Sequence, residues 1–190
     1  MMGNRGGSMH GPDRRLGPRR WVSRQWICCS LAFNGRQRQV MAPNRYTELF
    51  FLDEATALAA GHRPCFECRR EDAGHFAALW SAARGLDRRA RAVDIDRVLH
   101  AERLDEKGGK RRHDCDIDTL PDGVFILDPA DGAILLVLAA TCLPWSAGGY
   151  FSKRPRPRGV LVEALTPPSI IAAMKLGYLP KMHGTAREVV

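Results

Sequence analysis

Cys65-Phe66-Glu67-Cys68 sets two thiols at the spacing Cys-x-x-Cys. In a tight turn both can face one tetrahedral metal ion, because inward-pointing backbone N–H groups offset the thiolate charge. A helical pattern begins just after Cys68, and the positive end of a helix adds to that effect and lowers thiol pKa values. Arg63, Arg69 and Arg70 bring further positive charge. The competing readings are a redox pair or two ordinary cysteines. A redox Cys-x-x-Cys usually follows a strand in a βαβ unit, whereas a short helix and Gly61 precede this one, so the spacing favours metal.

Other clusters are weaker. His113-Asp114-Cys115-Asp116 is dense in metal-ligand types, but a lone His-x-Cys is more often a loop histidine beside a packed cysteine. Asp94, Asp96 and His100 are read as charges that cap a helix and suit its dipole. Trp145 and Tyr150 flank a Gly-Gly pair ahead of Lys153, Arg154, Arg156 and Arg158. Aromatics among cations suit stacked bases and tracked phosphates, while the alternative is a surface loop folded back on a sheet. Arg88 to Arg91 and Lys110 to Arg112 read as solvated faces. No recognisable catalytic motif occurs.

The elements around the thiols follow from periodicity. Residues 1–20, rich in Gly, Arg and Pro, read as a mobile basic arm that orders on a partner, and Met2 is an equally good start. WICCSLAF, Asn34-Gly35 and RQRQVM give the signal of a β-hairpin with a type I′ turn. Leu49 to Leu52 reads as a short buried strand, Asp53 as an N-cap, and EATALAA as a helix closed by Gly61. REDAGHFAALWSAARG repeats its apolar residues at three and four and predicts a strong helix ended by Gly85. Residues 86–106 predict another. The loop at 107–115 is the expected boundary between a region 21–106 and a β-rich region 107–190. In the latter, GVFILD and AILLVLAATCL make a hairpin, with Ala133 to Leu143 as a core strand. GVLVEAL is a strand, and Thr166 caps a final helix ended by Gly177. The expected class is α+β: an N-terminal hairpin and helices around the knuckle, then a small antiparallel β-rich half with a C-terminal helix.

With 190 residues and 45% apolar content, the chain can bury a core as one domain or two small ones. Its formal charge is +8, and residues 1–45 hold nine arginines against the single acid Asp13. Arginine outnumbers lysine 24 to 5. GC-rich codons would explain that excess, as would bidentate phosphate binding. No secretory signal is recognisable, and the longest apolar run is about half of the ~20 residues of a membrane span. A cytoplasmic setting is expected, where thiols stay reduced and favour metal ligation or packing over disulfides.

The segment ELFFLDEATALAAGHRPCFECRRED, about residues 48–72, resembles the metal-binding domain of the Ada DNA-repair protein. That pattern has paired phenylalanines, a short helix with Glu-Ala, then Ala-Ala-Gly-x-Arg-Pro-Cys-x-x-Cys-Arg. Phe50, Phe51, Glu54, Ala55, Ala59, Ala60, Gly61, Arg63, Pro64, Cys65, Cys68 and Arg69 supply it. The resemblance implies a Zn(2+) site and contact with DNA, and covers nothing beyond residue 90. It departs upstream: the family has a separated cysteine pair, whereas here Cys28 and Cys29 are adjacent. Neighbours on a strand face opposite ways, so one can join Cys65 and Cys68 easily; the resemblance favours Cys29, the nearer to the family's second position, with Cys28 as the alternative. His75 on the following helix is the candidate fourth ligand, with His62, His10, or His113 with Cys115, as further options. Methyl transfer to cysteine is not carried over, since the acceptor belongs to the altered pair.

The expected function is a zinc-stabilised nucleic-acid-binding protein, with DNA as partner, bound mainly through phosphates by Arg20, Arg24, Arg36, Arg38, Arg63, Arg69 and Arg70. The alternatives are a metal-dependent nuclease or base-processing enzyme using His113, Asp116 and His183, and an interaction protein with a purely structural zinc.

Overall fold

Three residues from the N-terminal end organise the first sheet. The computed structural model describes residues 1–37 and 39–189. In it β1 (Met2–Asn4) is sandwiched between β2 (Ile27–Cys29) and β3 (Leu49–Phe50), antiparallel to both, and β4 (Arg63–Pro64) joins β2 in parallel. The start of the expected arm is therefore not mobile but a buried central strand. Gly3 explains the fit: a Cβ there would fall 2.6 Å from the Phe51 ring and 3.1 Å from the Ile27 carbonyl. Residues 5–20 form a looped segment tied to itself and to the residues after it, with Gly17 donating to the Met9 carbonyl at 2.8 Å and Val22 to the Arg5 carbonyl at 3.0 Å.

The expected hairpin does not form among the described residues. Asn34 and Gly35 do adopt positive φ, 50° and 63°, and Arg36 N–H closes the turn on the Phe33 carbonyl at 3.0 Å. What is missing is a free edge: β1 and β4 already occupy both sides of β2, so no returning strand can pair there.

Asp53 caps α1 (Glu54–Ala59) as expected, accepting from Thr56 N–H at 2.8 Å. Gly61 ends it with φ 81°. α2 (Arg70–Ala83) and α3 (Ala92–Arg103) follow; α3 starts later than residue 86 because Ser81 Oγ accepts from Ala90 N–H at 2.8 Å, tying the connection to α2.

The second sheet is antiparallel. His113–Asp116, expected as loop and its flank, is instead the edge strand β5, paired with β11 (Leu161–Ala164). Next to β11 lie β6 (Phe125–Leu127), β7 (Ile134–Leu138) and β8 (Thr141–Ser146), and then the short β10 (Arg154–Pro155); β9 (Gly149–Tyr150) turns back on β8. The apolar run 133–143 is thus two strands, folded at Ala139 with φ 50°. Its lack of alternation has a cause, since this sheet is buried on both faces. Ile126, Leu135, Val137 and Cys142 face α2, α3 and α4 (Pro168–Lys175), while Phe125, Leu136 and Leu143 face α1 and α5 (Thr185–Glu188). Thr166 does not cap α4; its hydroxyl accepts from Phe125 N–H at 3.0 Å.

The class is α+β. However, the main core runs from Leu58, Phe76, Trp80 and Leu99 straight into Ile126, Val137, Val162 and Ile170. Residues 107–115 therefore do not separate two cores. Among the described residues, no helix is long and apolar enough to cross a membrane.

Candidate metal centre

The parallel pairing of β2 with β4 brings the thiols together. Cys65 N–H donates to the Cys28 carbonyl at 3.0 Å, continuing the ladder, and so sets the Cys-x-x-Cys turn beside the end of β2. Gly61 makes the preceding bend possible. Its φ is left-handed, and a Cβ would meet Arg103 Cδ at 2.6 Å and Cβ at 2.8 Å. Behind the turn, Arg63 is fixed by a two-pronged pair with Asp96 of α3, Nε to Oδ1 at 2.8 Å and Nη2 to Oδ2 at 2.7 Å.

The sulfurs of Cys29, Cys65 and Cys68 all lie within 4.8 Å of one another. Thiolates around one tetrahedral ion at a Zn–S distance of ~2.3 Å sit ~3.8 Å apart, so a small contraction would let all three bind. These three cysteines could hold a metal ion. Glu67 N–H points to Cys65 Sγ and Ser30 N–H to Cys68 Sγ, both at 3.4 Å, as the charge of bound thiolates requires. The Cys65 thiol is lowered to about 5, chiefly because Cys29 donates to it, with the N–H groups of Cys68 and Glu67 adding to this against burial. Cys29 is raised because its proton is held against Cys65 and because it is buried, and Cys68 is raised mainly by burial. To bind a metal together, Cys29 and Cys68 would have to give up their protons, since it is the thiolate that ligates.

Two of the expected ligands are elsewhere. Cys28 faces the opposite side of β2, as strand alternation demands, and its Sγ accepts from Arg69 Nη1 at 2.9 Å. Burial pushes it up to about 12, so it stays a thiol. His75 is exposed on α2, its ring 5.8 Å from that of Tyr178. The optional ligands are also engaged elsewhere. His10 contacts Thr47 Oγ1 at 2.7 Å, and His62 is packed between Trp26 and Phe51. His113 contacts the Glu102 carbonyl at 2.7 Å. Among the described residues the cluster is the three sulfurs alone.

No protein-family model, curated protein or solved structure matches the chain.

Of the arginines expected at phosphates, Arg63 and Arg69 are buried. Arg69 pairs with Glu54 and Asp72, each at 2.7 Å, and so braces α1 against α2 instead of facing solvent. Arg36 is exposed but paired with Glu67 at 2.6 Å. Arg20, Arg24 and Arg70 are exposed, and Arg38 lies outside the described residues. The residues of the enzymatic alternative do not converge: Asp116 caps the turn at Ile117–Thr119, and His183 contacts Thr185 Oγ1 at 2.9 Å. Tyr150 is a core residue whose hydroxyl donates to Asp53 Oδ2 at 2.8 Å, so it is no stacking platform. Sequence reasoning missed Arg5, Trp26, Arg103 and Lys110 as a group. They are far apart in the chain and carry no shared motif.

Proposed function

We propose that this protein is a zinc-stabilised nucleic-acid-binding protein that holds DNA mainly through its phosphates. The observation that carries the reading is a juxtaposition. The segment leading into β2 exposes Arg14, Arg15, Arg19, Arg20 and Arg24, and β2 itself delivers Cys29 to the three-thiol cluster. Among the described residues the one carboxylate in ion-pair range of these arginines is Asp13, 4.0 Å from Arg15. The metal would fix β2 and the Cys-x-x-Cys turn, and through them the path of the basic segment. Three converging cysteine sulfurs suit Zn(2+), which is bound by thiolate and does not change valence. Close to the turn, Arg70 and Arg89 line a shallow groove of about 300 Å³ with the edge of Phe66, which extends the cationic surface.

A gel-shift series with duplex and single-stranded DNA and with RNA tests this. Affinity should fall steeply, by orders of magnitude, as salt rises from about 50 to 200 mM. Replacing the five exposed arginines by glutamine should flatten the salt slope. Absence of binding to any nucleic acid at low salt, with metal retained, would leave the site a purely structural role.

A further inference from the structure

A second group of cations lies on the far side of β2, away from the thiols. Trp26 is clasped between two guanidinium groups: the Arg5 and Arg103 carbons stand 3.9 and 3.8 Å from the centre of its ring. Arg103 is 1% exposed. Its Nη1 donates to the Gly61 carbonyl at 2.9 Å and its Nη2 to the Arg24 carbonyl at 2.8 Å, while its Nε has no partner. Arg5 Nε is also buried without a partner, and Nη1 reaches only the Arg20 carbonyl at 3.2 Å. Lys110 extends its ammonium to the Ala59 carbonyl at 2.7 Å. Among the described residues no carboxylate is within ion-pair distance of Arg5, Arg103 or Lys110. Asp96, whose charge is felt at Arg103, is spent on both prongs of Arg63. His62 and His100 add no negative charge. His100 Nδ1 lies 3.0 Å from Arg103 Nη2 and so serves as an acceptor, and burial holds both rings in the neutral form.

Buried charges are normally paired, because taking an ion from water without a counter-ion costs several kcal/mol. Carbonyl dipoles and an indole face compensate the buried Arg103 only in part, while Arg5 is half-buried and Lys110 reaches in from the exposed rim. Burial, opposed by Asp96 and reinforced by Arg5 and Arg63, lowers Arg103 to about 9. A guanidinium stays protonated in proteins, so the strain falls on the site, and an incoming anion relieves it. Between Arg5, Arg20, Trp21, Trp26, Arg103 and Lys110 lies a cavity of about 230 Å³. That is below the ~300–1,000 Å³ of clefts for drug-sized ligands and fits a small anionic group. Arg20 and Trp21 also line an adjoining cavity of about 280 Å³ with Arg19 and Lys107, where the rest of a ligand would continue.

From this we infer that the Arg5–Trp26–Arg103 cavity is a binding site for a phosphate monoester, the end group of a nucleic-acid strand or of a free mononucleotide. A monoester carries nearly two negative charges at neutral pH and three acceptor oxygens, matching two guanidiniums and an ammonium. An internal phosphodiester has one charge and two flanking sugars, and suits the exposed arginines better. None of these contacts involves the three thiols.

Trp21 and Trp26 provide the readout. In a chloride buffer, tryptophan fluorescence of the full chain is titrated with inorganic phosphate, adenosine monophosphate, and one single-stranded oligonucleotide bearing either a 5′-phosphate or a 5′-hydroxyl. Saturable change with phosphate and the mononucleotide is expected, lost about tenfold in affinity in both Arg5→Met and Lys110→Met. A preference for the 5′-phosphate over the 5′-hydroxyl strand identifies a strand end as the source. Equal response to the two strands identifies the free mononucleotide. Arg103→Met should act likewise if its far-ultraviolet spectrum and melting remain native; the two rim variants carry the test if it does not fold. No saturable response to any phosphate compound, or affinities unchanged in Arg5→Met and Lys110→Met, overturns the assignment. Gel-shift affinity for 5′-hydroxyl DNA that persists in these variants leaves the phosphodiester reading of the exposed arginines untouched.

Discussion

At the scale of single residues, the contrast between Cys28 and Cys29 is the sharpest consequence of strand geometry. Adjacent in sequence, they face Arg69 and the other two thiols respectively. Metal analysis by mass spectrometry on purified variants should therefore split them. Cys29→Ser, Cys65→Ser and Cys68→Ser should each lose stoichiometric metal, whereas Cys28→Ser should retain it. Retention in Cys29→Ser with loss in Cys28→Ser would reverse the assignment. Protons give an independent check. Cys65 is lowered to about 5 and is a thiolate at pH 7, while Cys29 and Cys68 are raised and remain thiols there. Metal binding must expel the protons of those two thiols. Affinity should thus rise with pH through neutrality. Calorimetry in buffers of different ionisation enthalpy should report the release of about two protons per ion at pH 7, and release of none would mean the thiols are not ligands. That one of the two adjacent cysteines joins Cys65 and Cys68 was legible from spacing and alternation; which one was not. The outward placement of His75 was not read from its distance to Cys68 along the chain: burying Phe76 and Trp80 turns it to solvent.

At the scale of elements, the knuckle depends on struts that no local pattern announces. Asp96 looked like a charge near the start of a helix, yet it is a buried partner that locks β4 to α3 through Arg63. Arg63 sits within the run that resembles a DNA-repair domain, and its natural reading was a phosphate contact. Burial decides otherwise, since a guanidinium held by two carboxylate oxygens and covered by protein has no face left for DNA. Asp96→Ala would strand that charge in the interior and should cost about 3–5 kcal/mol of unfolding free energy, measured by urea titration. A loss below 1 kcal/mol would show that water reaches Arg63 readily. Periodicity did give α1, α2, β6 and β11 in nearly their true places, with Asp53 and Gly61 at the ends of α1 as capping chemistry requires. It failed for the Asn34-Gly35 hairpin, because a turn signal says nothing about whether the strand it would extend still has an open edge.

At the scale of the whole molecule, the N-terminal residues and the shared core decide how the chain holds together. A glycine-rich, arginine-rich start has the composition of a mobile arm, but Met2–Asn4 bridges β2 and β3, and its burial depends on partners more than twenty residues away. Composition cannot register such non-local pairing. The same holds for the expected division at 107–115: Phe76 and Trp80 of α2 and Leu99 of α3 share one core cluster with residues of the second sheet and α4. If residues 21–106 were a self-sufficient zinc domain, that fragment would fold on adding metal. The shared core argues the opposite. Without β1 it lacks the centre of its sheet, and without residues 107–190 it exposes the apolar faces of both helices. The fragment should show no cooperative melting with or without zinc. The full chain should melt in a single calorimetric transition, with equal calorimetric and van't Hoff enthalpies, shifted upward by metal in proportion to the logarithm of its free concentration. Two resolved transitions in the full chain, or a native-like fragment with zinc, would show that the halves fold separately after all.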